Sequence, residues 1–319
     1  MEIHSKYSKS SCAKTYLSAL FLPQILGIIA IMLLSVFFKD AEQMKQSYVY
    51  IITSLCIAQI AFLLIYWHMS KKHKTSNAYV NNIKINIKPL NIFICIVISI
   101  IAIVGLTLFV GLFDILFQKI GYKPQEQILN CTNFGNFILL VITSAILPAI
   151  AEELVFRDII FNGLKSKGFV FAGVISSIMF MTVHLNLGSL IYPLIMGFVF
   201  AYVLHKSGCI IYTMIIHFCN NFFVLLIQYL NNVAELNLFY MPELSILKVL
   251  LIILLAVFSV ATIIVLINSS FKSKQINNET QSKENTEVTA FEKAEDKKVY
   301  YSLAIGIVFW LLVVCLNFM

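Results

Sequence analysis

The residues able to do chemistry in this chain are few, and they sit where an apolar sequence would not ordinarily tolerate them. The stretch Ala151-Glu152-Glu153-Leu154-Val155-Phe156-Arg157-Asp158 follows a long apolar run containing Pro148. His184 comes at the end of another apolar run, and His217, Asn220 and Asn221 lie inside a third. Ionisable groups in such surroundings are expensive and mark functional sites. Helix geometry sorts the first group. Glu153 and Arg157 are four residues apart and share a face, so they can pair. Glu152 is turned by ~100° from Glu153 and is not neutralised the same way. Arg157 is the single arginine among the 23 Lys and Arg positions. A planar guanidinium suits a bidentate carboxylate partner, which an ammonium does not.

A glutamate of this kind can act as general base on water, with histidine assisting. An asparagine amide can donate to the oxyanion of a tetrahedral intermediate. No serine or cysteine is placed as a nucleophile, so the group points to water attacking an acyl carbon, as in amide hydrolysis. Glu152, His184 and His217 are also residue types that hold catalytic zinc, although no H-E-x-x-H motif is present. The same three could instead form a proton relay in a transporter.

The elements that must position these groups are membrane helices. Hydrophobic residues make up 60% of the 319 and charged residues 12%, whereas a soluble domain is about half apolar and about a quarter charged. Roughly 20 apolar residues cross a bilayer core. Spans are expected at Tyr16–Phe38, Tyr48–Trp67, Leu90–Phe117, Phe137 into the 150s, Phe169–Val183, Leu190–Leu204, Cys209–Leu230, Leu247–Ile267 and Val299–Phe318, the fifth and sixth being short. The fold class is therefore all-α: a polytopic transmembrane bundle of eight or nine spans around an intramembrane cavity. The expected organisation is N-terminal helices and a basic loop over 1–135, a catalytic core over 136–230, and a helical hairpin region over 231–267. A charged segment over 268–298 follows, with too little to bury for more than marginal helicity, and a last helix covers 299–319.

Charge sets the expected topology. Eighteen of the 23 Lys and Arg residues fall before span one or after spans two, four, six and eight. By the positive-inside rule the amino terminus is cytoplasmic and the carboxyl terminus outside. The net charge of +7 is then a topology signal and calls for no nucleic-acid partner. Asp114, near the end of span three, reads as interfacial. The seven cysteines form no C-x-x-C and suggest neither a disulfide framework nor a thiolate metal site.

Depth brings the groups together. The chain turns near Ser166-Lys167-Gly168. Glu152 lies 15 residues before Lys167 and His184 lies 16 after Gly168, so both are about 23 Å from the turn and level in an antiparallel hairpin. His217 and Asn221 share one face of their span.

Glu152-Glu153-x-x-x-Arg157, Phe180-x-x-x-His184 and His217-x-x-x-Asn221 together resemble the three-motif signature of the type II CAAX prenyl protease family, the CPBP or Abi group of intramembrane endopeptidases. The segment Gly208–Asn221 is similar to the third-motif context of its bacterial members. The resemblance covers about Phe137–Leu230, and it implies a helical membrane fold with a cavity and a peptidase activity. It implies that Glu152 activates water with help from His184, and that His217 and Asn221 bind the oxyanion, with Glu153 and Arg157 in support. The family is described as metallopeptidase and also as metal-free, so the resemblance leaves a zinc ion optional. The substrate it implies is a membrane-associated peptide or protein, cleaved at the cell membrane. Bacterial members are linked to bacteriocin immunity, peptide maturation and envelope roles. A non-enzymatic immunity or scaffold protein and a proton-coupled transporter are the competing readings, and the internal repeats that a transporter predicts are not found.

Overall fold

The computed structural model describes residues 7–72, 87–122, 133–188, 190–234, 245–271, 290–316 and 318. Cys131, Met319, most of the basic loop and the middle of the charged segment lie outside the described residues. Among the described residues ten helices follow in order: α1 Lys9–Ser35, α2 Ala41–Gln46, α3 Tyr48–Lys72, α4 Pro89–Lys119, α5 Phe134–Lys167, α6 Phe169–Thr182, α7 Ile191–Ser207, α8 Ile210–Ala234, α9 Ile246–Ser270 and α10 Ala290–Leu316. No strand occurs among the described residues. Seven of these helices are long and apolar enough to cross a bilayer, and the chain is a multi-pass membrane protein. The other two apolar helices, α6 and α7, have 14 and 17 residues. A stretch of 14 residues rises only about 21 Å, short of the roughly 30 Å hydrocarbon core. Their ends are therefore held by protein, which is where irregular backbone is tolerated at membrane depth.

Local sequence explains the helix ends. Ser8, Asn133 and Ser245 cap α1, α5 and α9, each accepting a backbone N–H from three residues on. Gly168, between α5 and α6, has φ 90°, and Gly208, after α7, has φ 66°. A left-handed backbone favours glycine at both turns. The cysteines among the described residues are all unpaired.

Helix α5 is the centre of the bundle, packed by α1, α3, α6 and α8. One apolar core joins α1, α3, α5 and α6 through Tyr16, Phe62, Phe156 and Phe180. A second joins α4, α7, α8 and α9 through Ile98, Phe200, Ile216 and Ile263. At one end Asp296, near the start of α10, pairs with Lys9 at 2.8 Å and with Lys167. The starts of α1 and α10 and the α5–α6 turn therefore share an end, as the lysine distribution requires. Of the charged segment over 268–298, its first residues complete α9 and residues 290–298 are the opening turns of α10. Those turns read AFEKAEDKK, a run of strong helix formers.

Candidate active site

Helix α5 carries the two glutamates, and its backbone is irregular around them. Residues 141–146 and 154–161 are π-helical, with Leu147 N–H reaching Ile142 O and Asn162 N–H reaching Arg157 O. The first widening precedes Pro148. Proline has no N–H to give to the carbonyl four residues back, which is that of Ser144. Asn221 on α8 supplies the missing donor: its Nδ2 donates to Ser144 O at 3.1 Å.

Between the two widened turns lie Glu152 and Glu153, both buried. Glu153 and Arg157 pair as their spacing predicts, with Nε 3.2 Å from Oε2. The expected two-pronged fork does not form. None of the three guanidinium nitrogens makes a hydrogen bond among the described residues, so the contact with Oε2 is an ion pair only, and the cation lies against the rings of Phe180 at 4.8 Å and Phe200 at 5.3 Å. The reason is that the second Glu153 oxygen is already engaged. His217 Nδ1 lies 3.0 Å from Oε1. A carboxylate only accepts, so this histidine nitrogen donates. The aromatic faces attract the buried cation in place of a second carboxylate contact.

His217 is thereby oriented. Its ring stacks on Phe200 at 5.1 Å and meets the edge of Phe180 at 6.0 Å. Its Nε2 faces Glu152 Oε2 at 3.8 Å. The other Glu152 oxygen accepts from Gln59 Nε2 at 3.0 Å. Glu152 has no arginine partner. The two carboxylates thus occupy different electrostatic positions, one clamped by Arg157 and His217, the other held only by a neutral amide and facing an imidazole.

His184 stands at the border of this group. It is exposed, lies two residues past the end of α6, and its Nδ1 bonds the Phe180 carbonyl at 2.8 Å. That carbonyl accepts, so Nδ1 carries the hydrogen and Nε2 is left as an acceptor. The hairpin register is as the depth argument expects, because Phe156 and Phe180 meet at 5.1 Å, one turn from Glu152 and His184 respectively. Level is not the same as touching: His184 and Glu152 make no direct pair, and what links His184 to His217 is their shared contact with Phe180.

Asn220, next to Asn221, is buried and accepts from the Tyr192 hydroxyl at 3.2 Å. Asp114 is half-buried near the end of α4. Among the described residues no three His, Cys, Asp or Glu side chains are arranged to hold a metal ion. The zinc set of Glu152, His184 and His217 is not gathered in this geometry. Sequence reasoning missed Gln59 and Phe200. The signal for Gln59 was available: it is the one amide in the otherwise apolar run Ile57–Leu64.

Fold and site together define a polytopic helical membrane protein with a glutamate–histidine cluster buried among its central helices. Residues 134–223, the segment that carries the three motifs, match the family model of the type II CAAX prenyl endopeptidase Rce1-like proteins. A relative in Bacillus subtilis (strain 168), the candidate membrane peptidase YdiL, is 41% identical over 89 residues. That match covers 28% of this chain and 36% of the relative, about a third of its length. No solved structure matches the chain.

Proposed function

We propose that this protein is an intramembrane endopeptidase, which hydrolyses a peptide bond of a membrane-associated peptide or protein with water activated by Glu152. The observation that carries the reading is the unequal pairing of the glutamates. Arg157 and His217 occupy Glu153, while among the described residues Glu152 meets no cationic side chain in direct contact except the imidazole at 3.8 Å. The endopeptidase family of residues 134–223 supports the same chemistry.

In this reading Glu152 takes a proton from water as the oxygen attacks the peptide carbonyl carbon. The C–N bond then breaks, and the proton passes to the leaving nitrogen, either from Glu152 or through His217 Nε2. Glu153 holds His217 by its Nδ1 hydrogen, so the ring presents Nε2 and no other atom. His184 presents Nε2 from the border of the cluster, where it assists Glu152. Asn221 has a second amide hydrogen beyond the one on Ser144 O, and this is the donor assigned to the oxyanion, joined by His217 Nε2 once that nitrogen has taken the proton from Glu152. Preorganised donors in a water-poor site are among the strongest catalytic contributions.

The test compares the new peptide termini in membranes from cells carrying the parent protein and Glu152→Gln at equal abundance. Products present only with the parent are expected. An identical set of termini in both would exclude a glutamate-dependent peptidase and favour a binding or immunity role.

A further inference from the structure

We propose that Gln59 is a further member of the hydrolytic centre. Its amide nitrogen holds the Glu152 carboxylate, and its amide oxygen receives the second hydrogen of the attacking water. This rests on the reading of Glu152 as the base.

Gln59 lies on α3, outside the family-matched segment and 93 residues from Glu152. It is 6% exposed, and its helix neighbours Ile57, Ala58, Ile60, Ala61 and Phe62 are apolar. A buried amide in such a place is unfavourable unless both its ends are bonded. One end is: Nε2 donates to Glu152 Oε1 at 3.0 Å. The orientation follows from the chemistry of the partner, since an ionised carboxylate cannot donate and the nitrogen must face it. The other end is not: Gln59 Oε1 is buried without a hydrogen-bond partner among the described residues. An acceptor in this position, on the same amide that holds the base, is matched by a donor bound beside Glu152.

The reaction supplies that donor. Water seated against Glu152 has two hydrogens. Glu152 accepts the one it will remove, and Gln59 Oε1 accepts the other. With both hydrogens held, the remaining lone pair is aimed at the substrate carbonyl carbon. The C–O bond forms, Glu152 gains the proton, and the proton leaves on the amine nitrogen as the C–N bond breaks. Gln59 exchanges no proton at any stage. Its contribution is alignment, and a misplacement of about 1 Å at such a centre can lower the rate about 10²-fold.

Gln59→Met separates this from a packing role, because methionine keeps the volume and the apolar contacts but neither hydrogen-bonding end. Two readings are taken. The carboxylate stretch of Glu152 is isolated at one pH in the purified protein as the infrared difference between parent and Glu152→Gln, with ¹³C-glutamate labelling. The rate at which Glu152-dependent termini appear is followed in membranes. Gln59→Met is expected to stay abundant, to shift the stretch and to slow the products by about 10²-fold. An unmoved stretch, or products at the parent rate, overturns the proposal. If Gln59→Met were not abundant, Gln59→Asn is read in its place, since withdrawing the amide by one methylene breaks the same contact. Loss of the underlying reading looks different: no termini depend on Glu152 at all, while the infrared comparison still reports whether Gln59 holds the carboxylate.

Discussion

Glu153 accepts a hydrogen bond from His217 Nδ1 at 3.0 Å while its other oxygen lies 3.2 Å from Arg157 Nε. A residue that reads in sequence as one half of an ion pair is therefore also the group that aims a histidine at Glu152.

The two glutamates should fail differently when replaced. Glu152→Gln keeps the shape, removes the base and should leave membrane abundance unchanged while lowering cleavage by about 10²–10⁴-fold. Glu153→Gln strands a fully buried Arg157, and breaking a buried pair typically costs about 3–5 kcal/mol. It should lose abundance and thermal stability first, with activity lost in whatever protein survives because His217 is no longer oriented. Arg157→Lys should resemble Glu153→Gln, since an ammonium does not lie against Phe180 and Phe200 as a flat guanidinium does. Abundance and cleavage measured for all three decide it. An abundant, inactive Glu153→Gln beside an active Glu152→Gln would exchange the two assignments.

Asn221 and Pro148 should be coupled in stability. Asn221→Ala leaves the part-buried Ser144 O without its donor, and an unpaired carbonyl costs up to about 1–3 kcal/mol when it is fully buried. In a Pro148→Ala background the new backbone N–H can serve that carbonyl, so the cost of Asn221→Ala should shrink. Thermal denaturation of the four proteins in the double-mutant cycle measures the difference. Equal costs in both backgrounds would mean the Asn221–Ser144 bond does not stand in for the missing amide. Cleavage should fall with Asn221→Ala in either background if its second amide hydrogen serves the oxyanion.

His184→Ala should be a catalytic lesion without a folding one. The side chain is exposed and its one hydrogen bond is to the carbonyl of its own helix. Stability should change little, as surface substitutions usually stay within about 0.5 kcal/mol, while cleavage should fall at least tenfold. Parent-level cleavage would remove His184 from the mechanism.

Topology reporters should follow the lysines. Fusions after Lys88 and after Lys206 should report the cytoplasm, and one at Met319 the outside. The Asp296 contacts with Lys9 and Lys167 add a second check. Lys9→Cys and Asp296→Cys should both react with a thiol reagent from the same face of intact membranes. Labelling from opposite faces would contradict the shared end.

How much of this was legible in the sequence depends on distance along the chain. The apolar runs determined the membrane class and nine apolar helices, because a bilayer core dictates the length and composition of whatever crosses it. Helical periodicity determined the Glu153–Arg157 pair, since residues four apart must share a face whatever else the chain does. The turn at Gly168 set the level of Glu152 and His184. Contacts between helices were beyond such local rules. Gln59 reaches Glu152 across 93 residues and His217 reaches Glu153 across 64, and no repeat or spacing relates these positions. The guanidinium faces two aromatic rings because Glu153 had an oxygen to share with His217. Asn221 turns to Ser144 because a proline on another helix removed an N–H. Which polar atoms are satisfied, and by whom, is settled only when the helices pack, since a buried donor or acceptor takes its partner from whatever face lies against it.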